Sequence, residues 1–166
     1  ITLDAAWKGF DFSIFMQGIG KRDLWLDGCY FWGANGQGNE WQSTGFAEHW
    51  DFFRPEGDPL GANLNSYYPR VNFSGDRNTK VQTRYLQNGA YLRLKNVQLG
   101  YTLPRVWTEK AGISSVRVYV SGDNLATITS LSKIFDPEAT GSLAGTGSGK
   151  LYPLQRVISV GVNVNF

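Results

Sequence analysis

Apolar and polar residues alternate with a period of two along much of the chain, and residues 156–166 show this most clearly. From residue 158 onward every second side chain is apolar, and those between are small or polar. The apolar positions are Ile158, Val160, Val162, Val164 and Phe166. Such alternation is typical of a β-strand whose two faces meet different surroundings. A tilted strand that crosses a bilayer has about 9–11 residues, so this stretch has the length of a membrane-spanning strand.

Four earlier stretches repeat the pattern, at residues 1–7, 10–20, 91–103 and 115–123. The third changes phase, because its apolar positions are even up to Leu94 and odd from Val97. A β-bulge near Lys95–Asn96 produces such a change, and two short strands joined by a kink are the alternative. The pattern therefore predicts an all-β chain of five or six strands.

Short and long connections alternate between these strands. Lys8–Gly9 predicts a tight hairpin, and Val106–Ala111 predicts one helical turn that Gly112 ends. Residues 21–89 and 126–155 are instead long and rich in Gly, Asn, Ser and Pro. In an up-and-down antiparallel sheet this order places both long loops at one end. Bacterial outer-membrane barrels have the same asymmetry.

Composition removes several classes of function. The chain has 166 residues, of which only 18% are charged, and its net charge is +2. A balance this even gives no basic patch for nucleic acid. One cysteine, Cys29, excludes an internal disulfide framework, and we expect the one histidine, His49, to be a packing or hydrogen-bonding residue of a loop. Because Ile1 opens directly into alternating sequence, we expect a mature protein or a fragment of a larger one.

Seven motifs follow one another along the chain. They are Trp7–Asp11, Phe53–Glu56, Tyr68–Arg70, Tyr91–Pro104, Val116–Leu125, Asp136–Glu138 and Tyr152–Phe166. This ordered set resembles the SusC/RagA-type family of TonB-dependent outer-membrane transporters, and the resemblance covers nearly the whole chain. The family commonly has Asn after the glutamate of the second motif, where this chain has Gly57.

The resemblance implies that residues 1–166 are the C-terminal portion of a transmembrane β-barrel, with two long extracellular loops and without the plug domain. The family's barrel has about 22 antiparallel up-and-down strands. Since the smallest outer-membrane barrels have about eight strands, this chain is too short to close a barrel by itself.

The resemblance also implies a function and a set of partners. The function is TonB-dependent import of large nutrients, oligosaccharides or peptides, across the outer membrane of a Gram-negative bacterium of the Bacteroidetes type. The implied partners are a SusD-like surface lipoprotein, the TonB complex through the missing N-terminal part, the barrel-assembly machinery and outer-membrane lipid. We expect no bond-breaking chemistry and no nucleic-acid partner.

The loop at residues 23–58 carries the candidate contact residues. It holds seven acidic residues, nine aromatic residues and a single base, Arg54. Rings stack on sugars and carboxylates accept hydrogen bonds from hydroxyls, so this composition suits carbohydrate binding. It equally suits a protein interface or a small core that packs the loop against itself. The candidate contacts with substrate or partner are Trp32, Trp41, Trp50, Asp51 and Phe53.

The last strand is a candidate assembly signal, formed by Val162, Val164 and Phe166. A terminal aromatic residue on an alternating strand resembles the signal that the barrel-insertion machinery reads, because the final strand must pair and then close onto the first. The alternative is an ordinary strand of a soluble protein that ends in Phe.

Two further expectations concern the loop at residues 23–58. Its oxygen-rich composition leaves a calcium site open, although the EF-hand spacing is missing, and we expect no other cofactor. The alternative function is a soluble β-sandwich that binds carbohydrate through this loop. The two functions differ in the apolar strand faces, which meet lipid in a barrel and a second sheet in a sandwich.

Overall fold

The computed structural model describes residues 1–26, 28–35, 45–72, 77–141 and 152–166. These residues form two compact units. The sheet unit comprises Ile1–Gly20, Ala90–Ser130 and Leu154–Phe166. The loop unit comprises Lys21–Gly89 and Leu131–Pro153, which are the two long connections.

The described residues contain seven strands and two short α-helices. The strands are β1 (Thr2–Trp7), β2 (Phe10–Ile19), β3 (Asp23–Leu24), β4 (Gln87–Asn88), β5 (Tyr91–Thr102), β6 (Ser115–Thr129) and β7 (Val157–Asn165). The helices are α1 (Cys29–Trp32) and α2 (Arg105–Thr108). Short 3₁₀ turns lie at Ala47–Trp50, Thr83–Tyr85, Glu109–Ala111 and Ala139–Gly141. No helix within the described ranges is long and apolar enough to cross a bilayer.

The sheet unit is one antiparallel sheet in the order β1-β2-β5-β6-β7. Each strand pairs with the strand that precedes it within this unit, so the predicted up-and-down fold is confirmed. The sheet is open, with β1 and β7 at its edges. The small pair β3–β4 belongs to the loop unit.

Both predicted short connections are confirmed. Lys8 and Gly9 join β1 to β2 with φ angles of 47° and 89°, as a type I′ turn requires because its twist matches that of the strands. After β5 the chain makes a helical turn through α2 and Glu109–Ala111. Gly112 ends it in the left-handed conformation, with φ 69°.

The phase change in β5 is a β-bulge. Leu94 pairs with Met16 and Asn96 pairs with Phe15, so Lys95 is an extra residue between them. The pairing with β6 also shifts at this point. The prediction of a single bulged strand is therefore confirmed, and the alternative of two short strands joined by a kink is wrong.

The two faces of the sheet differ in chemistry along every strand. One row across the sheet is Phe12, Leu99, Val120 and Val160, and the next row is Ser13, Gln98, Ser121 and Ser159. On β7 the apolar face is open, since Val160 is 76% exposed and Val162 is 58% exposed. A β-sandwich would bury these valines against a second sheet, so the sandwich alternative is wrong for this sheet.

Candidate functional site

The loop unit has a core of its own, made mostly of aromatic rings. Its members are Leu26, Phe31, Trp32, Tyr68, Tyr85, Leu131 and Phe135. Phe31 meets Trp32 edge to face with ring centroids 5.0 Å apart, and Trp32 meets Tyr85 in the same way at 4.9 Å. Such pairs contribute about 0.5–1.5 kcal/mol beyond burial. Many rings of the aromatic loop therefore pack the loop against itself, as one of the three sequence alternatives proposed.

His49 holds α1 in place from within the loop unit. Its Nε2 donates to the carbonyl oxygens of Tyr30 (3.1 Å) and Phe31 (3.2 Å). Its Nδ1 accepts from the backbone N–H of Phe46 at 3.2 Å. These partners assign the ring proton to Nε2, because the two carbonyls need a donor and the N–H needs an acceptor. Gly33 leaves room for the ring, since a Cβ there would lie 3.0 Å from Nδ1.

Two carboxylates of the aromatic loop are engaged within the loop unit. Glu48 accepts from the hydroxyl of Ser132 at 2.6 Å. Asp51 accepts from the side-chain amide of Asn63 at 3.0 Å and from the backbone N–H of Tyr67 at 3.1 Å. Two of the carboxylates that were expected to accept hydrogen bonds from sugar hydroxyls therefore already accept hydrogen bonds within the loop unit.

Two adjacent tyrosines, Tyr67 and Tyr68, lie beside this network. Burial raises the pKa of both phenols, and for Tyr68 the negative charge of Glu48 raises the pKa further. Gln87 Nε2 donates to the Tyr67 hydroxyl at 2.6 Å, which opposes part of the increase in the Tyr67 pKa. Both hydroxyls are protonated at neutral pH, as in any tyrosine, and the raised pKa extends this state to more alkaline pH.

A cavity of about 590 Å³ opens in the loop unit and is called here the loop cavity. Its ring-bearing walls are Trp32, Phe46, His49, Trp50, Phe52 and Tyr68. The other lining residues are glycines, alanines, Asn35 and Val71, so no acidic residue, lysine or arginine lines the cavity. The amide of Asn35 donates to the Trp32 carbonyl (3.3 Å) and accepts from the Asn72 backbone N–H (3.1 Å). A mostly apolar cavity of this size is typical of binding sites for small ligands.

The predicted contact residues separate into different roles. Trp32 lines the loop cavity but is only 1% exposed, whereas Trp50 lines it and is 62% exposed. Asp51 is held in the bonds described above, and Phe53 is not among the lining residues. Trp41 lies outside the described residues. Contact of these residues with substrate or partner stays a prediction.

Phe52 and Tyr68 also line the loop cavity, and neither was predicted from the sequence to be a contact residue. An isolated bridge pairs these two residues and brings residues outside the aromatic loop to its cavity. The motif Tyr68–Arg70 was the signal that could have located this wall. His49 was predicted to be a packing or hydrogen-bonding residue of the loop, and its contacts confirm this.

The polar face of the sheet carries an ion pair that spans three strands. Arg117 Nε on β6 donates to Asp11 Oδ1 on β2 at 2.9 Å, and Arg117 Nη2 pairs with Asp11 Oδ2. Gly100 on the intervening strand leaves the space, since a Cβ there would collide with both side chains. The Arg117 guanidinium also lies 5.1 Å from the centre of the Tyr119 ring, and Gly161 makes room for that ring.

Metal ligands are sparse in the part of the chain that the structure describes. There, no group of three or more His, Cys, Asp or Glu side chains comes together in a way that could hold a metal ion. The calcium site stays a prediction.

Comparisons with known proteins find relatives along nearly the whole chain. TonB-dependent receptor P3 of Formosa agariphila is 31% identical over 98% of this chain. TonB-dependent receptor P26 of the same organism is 29% identical over 97%. This chain spans only 16% of the length of either receptor. No model of a known protein family matches the chain.

Solved structures with the same fold include those of a peptide transporter. The RagAB peptide transporter matches with a TM-score of 0.72 at 28% identity. The RagAB peptide importer in the open-open state matches with a TM-score of 0.70, also at 28% identity. Each match covers 99% of this chain and 16% of the solved chain.

Proposed function

The resemblance to SusC/RagA-type TonB-dependent outer-membrane transporters is confirmed over nearly the whole chain, and from it we propose that the chain is a barrel segment of a nutrient importer. The importer works in the outer membrane of a Gram-negative bacterium of the Bacteroidetes type. Its cargo is a large nutrient, an oligosaccharide or a peptide, and the segment performs no bond-breaking chemistry.

The exposed apolar face of the sheet carries this proposal. Burying apolar surface contributes about 25 cal/mol per Å², so a face like that of Val160 and Val162 is favourable only where it leaves water. Strands β2, β5 and β7 have 10, 12 and 9 residues, close to the roughly 9–11 that cross a bilayer. The apolar face accordingly meets hydrocarbon, and the polar face with the Asp11–Arg117 pair meets the water-filled lumen.

The order of the connections supports an orientation for the segment. The short turns after β1 and β5 leave the strands at one end of the sheet, and the long connections after β2 and β6 leave the strands at the opposite end. Outer-membrane barrels have long loops outside and short turns in the periplasm. The loop unit therefore belongs to the extracellular side.

The last strand is the proposed assembly signal. β7 is an edge of the sheet, and Phe166 is 90% exposed at its end. An unpaired edge offers backbone donors and acceptors to another strand, first to the barrel-assembly machinery and then to the opposite edge of the completed barrel. Val162 and Val164 supply the apolar positions of this signal.

The remaining partners follow from the importer as a whole. A SusD-like surface lipoprotein would meet the extracellular loops, and the TonB complex would act through the N-terminal part that this chain does not include. The relatives named RagAB peptide transporter and peptide importer favour peptides among the two classes of cargo.

The proposal is tested with the full-length protein in its host. We expect it to fractionate with the outer membrane, and its deletion to abolish uptake of a labelled peptide or oligosaccharide mixture. Loss of TonB should have the same effect. Recovery of the protein in the soluble periplasmic fraction, or uptake that is independent of TonB, would contradict the proposal.

A matched pair of variants tests the assembly signal. Phe166→Asp should lower the amount of folded protein in the outer membrane severalfold, because it places a charge on the terminal apolar position. Asn165→Asp adds the same charge to the neighbouring polar position and should leave the amount near wild type. Equal amounts of the two variants would refute the signal.

A further inference from the structure

We propose that the loop cavity binds a large apolar side chain of a peptide, preferably an aromatic one, together with a peptide carbonyl. This deepens the proposed function, since a binding subsite on the extracellular side has its biological meaning in import. The binding itself is a property of the loop unit and is measurable without transport.

The walls of the loop cavity select an uncharged ring. Trp50 and Phe52 are neighbouring rings of the wall, with centroids 6.4 Å apart, and Trp50 is largely exposed. Aromatic pairs prefer offset or edge-to-face geometry at such distances, which an incoming ring can extend. The nearby carboxylate of Asp51 is already bonded to Asn63 and Tyr67, so it offers little to a cationic ligand.

The polar groups of the wall argue for a peptide over a sugar. The acceptors are in use, since His49 Nδ1 accepts from Phe46 and Asn35 Oδ1 accepts from Asn72. A pyranose ring carries several hydroxyls, and each hydroxyl left unpaired in the cavity would cost binding energy. A peptide that inserts one ring brings far fewer polar groups into the cavity.

One donor of the wall has no hydrogen-bond partner among the described residues. It is the buried indole Nε1 of Trp32. Tyr68 lines the same cavity, and its phenol is protonated at neutral pH like that of any tyrosine. A donor-only indole and a protonated phenol suit a carbonyl oxygen, which every residue of a peptide supplies.

Direct binding to the full-length protein in detergent micelles tests the proposal. The probes are the tripeptide Ala-Phe-Ala capped at both ends, its capped analogue Ala-Gly-Ala, and maltotriose, each followed by calorimetry and tryptophan fluorescence. We expect the phenylalanine peptide to bind at least tenfold more tightly than the glycine peptide. Equal affinity of the two peptides, no binding at all, or competition by maltotriose would overturn the proposal.

Cavity-filling variants tie the binding to the loop cavity. Val71→Trp fills the cavity from its exposed wall and should weaken binding of the phenylalanine peptide at least tenfold. Val81→Trp is the matched control, because Val81 is exposed in the same unit and does not line the cavity. If Val71→Trp fails to fold by circular dichroism, Ala47→Leu replaces it from another part of the wall. Unchanged affinity in a folded filling variant would refute the site.

A substitution that removes the indole donor tests the hydrogen bond, with folding checked by circular dichroism because Trp32 also belongs to the core. Trp32→Phe keeps a ring in the core and should weaken peptide binding about two- to tenfold, the range of one net hydrogen bond. An unchanged affinity would overturn the carbonyl part of the proposal. Peptide binding without TonB-dependent uptake of either peptide or oligosaccharide would contradict the importer function and leave the site standing. Peptide uptake without this binding would contradict the site and leave the importer function standing.

Discussion

The orientation of the sheet faces is tested by one charge placed on either side of β7. Val160→Lys puts an ammonium on the apolar face, and Ser159→Lys puts the same group one residue away on the polar face. Val160 lies next to Gly161, the middle residue of the nine in β7. On the barrel interpretation, Val160 is consequently close to the centre of the bilayer.

The expected destabilisation follows from the depth of the position. Val160 is 76% exposed on the apolar face, which meets lipid on the barrel interpretation. Substitution by lysine near the bilayer midplane of an outer-membrane barrel costs about 2–4 kcal/mol. This lowers the folding equilibrium about 30- to 900-fold. Ser159→Lys faces the lumen and should cost less than about 1 kcal/mol.

Two measurements compare the variants. The folded fraction of the full-length protein in outer membranes is read from heat-modifiable mobility on gels. The midpoint of urea unfolding is measured in micelles. Val160→Lys should be nearly absent from the membrane, and Ser159→Lys should be present at close to wild-type amounts. The reverse ranking, or equal tolerance of both lysines, would refute the assignment of lipid and water to the two faces.

Three further predictions concern packing and ionisation. His49→Phe should destabilise the loop unit by about 1–3 kcal/mol, because it leaves two carbonyls and one N–H unpaired; limited proteolysis measures this, and unchanged cleavage would contradict it. Gly161→Leu should cost about 1–3 kcal/mol, because its side chain overlaps the Tyr119 ring, and the urea midpoint would fall. Because the pKa of Tyr68 is raised in the folded protein, its contribution to stability is complete below about pH 10 and is lost as the pH rises further. Tyr68→Phe should therefore reduce the loss of stability at alkaline pH, as measured by fluorescence during unfolding.

Most of the sheet could be predicted because its signal is local. In a strand the face of each side chain follows from the parity of its position, so the alternation near Val160 already separates the two faces. The bulge was visible as a change of parity around Lys95. The end of β6 was missed, since the strand runs past Asp123 to Thr129. Asn124 has φ 52°, and this local break of the alternation hid the continuation.

For the loop unit, the sequence showed which kinds of residue are abundant and did not show which of them are in contact. Its core joins side chains that are distant in sequence, such as Phe31 and Phe135, whose rings lie 6.4 Å apart. No period in the sequence encodes such a contact, because neither residue belongs to a regular element long enough to show one. The abundance of rings was compatible with a packed loop, a partner surface and a sugar site. The hydrogen bonds of Glu48 and Asp51 within the loop unit were not predictable from composition.

The two units place their apolar side chains differently. The loop unit buries them in its own interior, whereas the sheet leaves them exposed on one face. The loop unit closes rings such as Phe31 and Trp32 into its own interior, as a protein in water must do to offset the entropy of ordering its chain. The sheet exposes Val160 and its apolar neighbours on one face. Its polar interactions, such as the Asp11–Arg117 ion pair, lie on the other face. On the proposed function, lipid covers the apolar face of the sheet, whereas the loop unit buries its own rings. A binding cavity belongs in the second kind of structure, because its walls are fixed by internal bonds such as those of His49 and do not depend on the membrane.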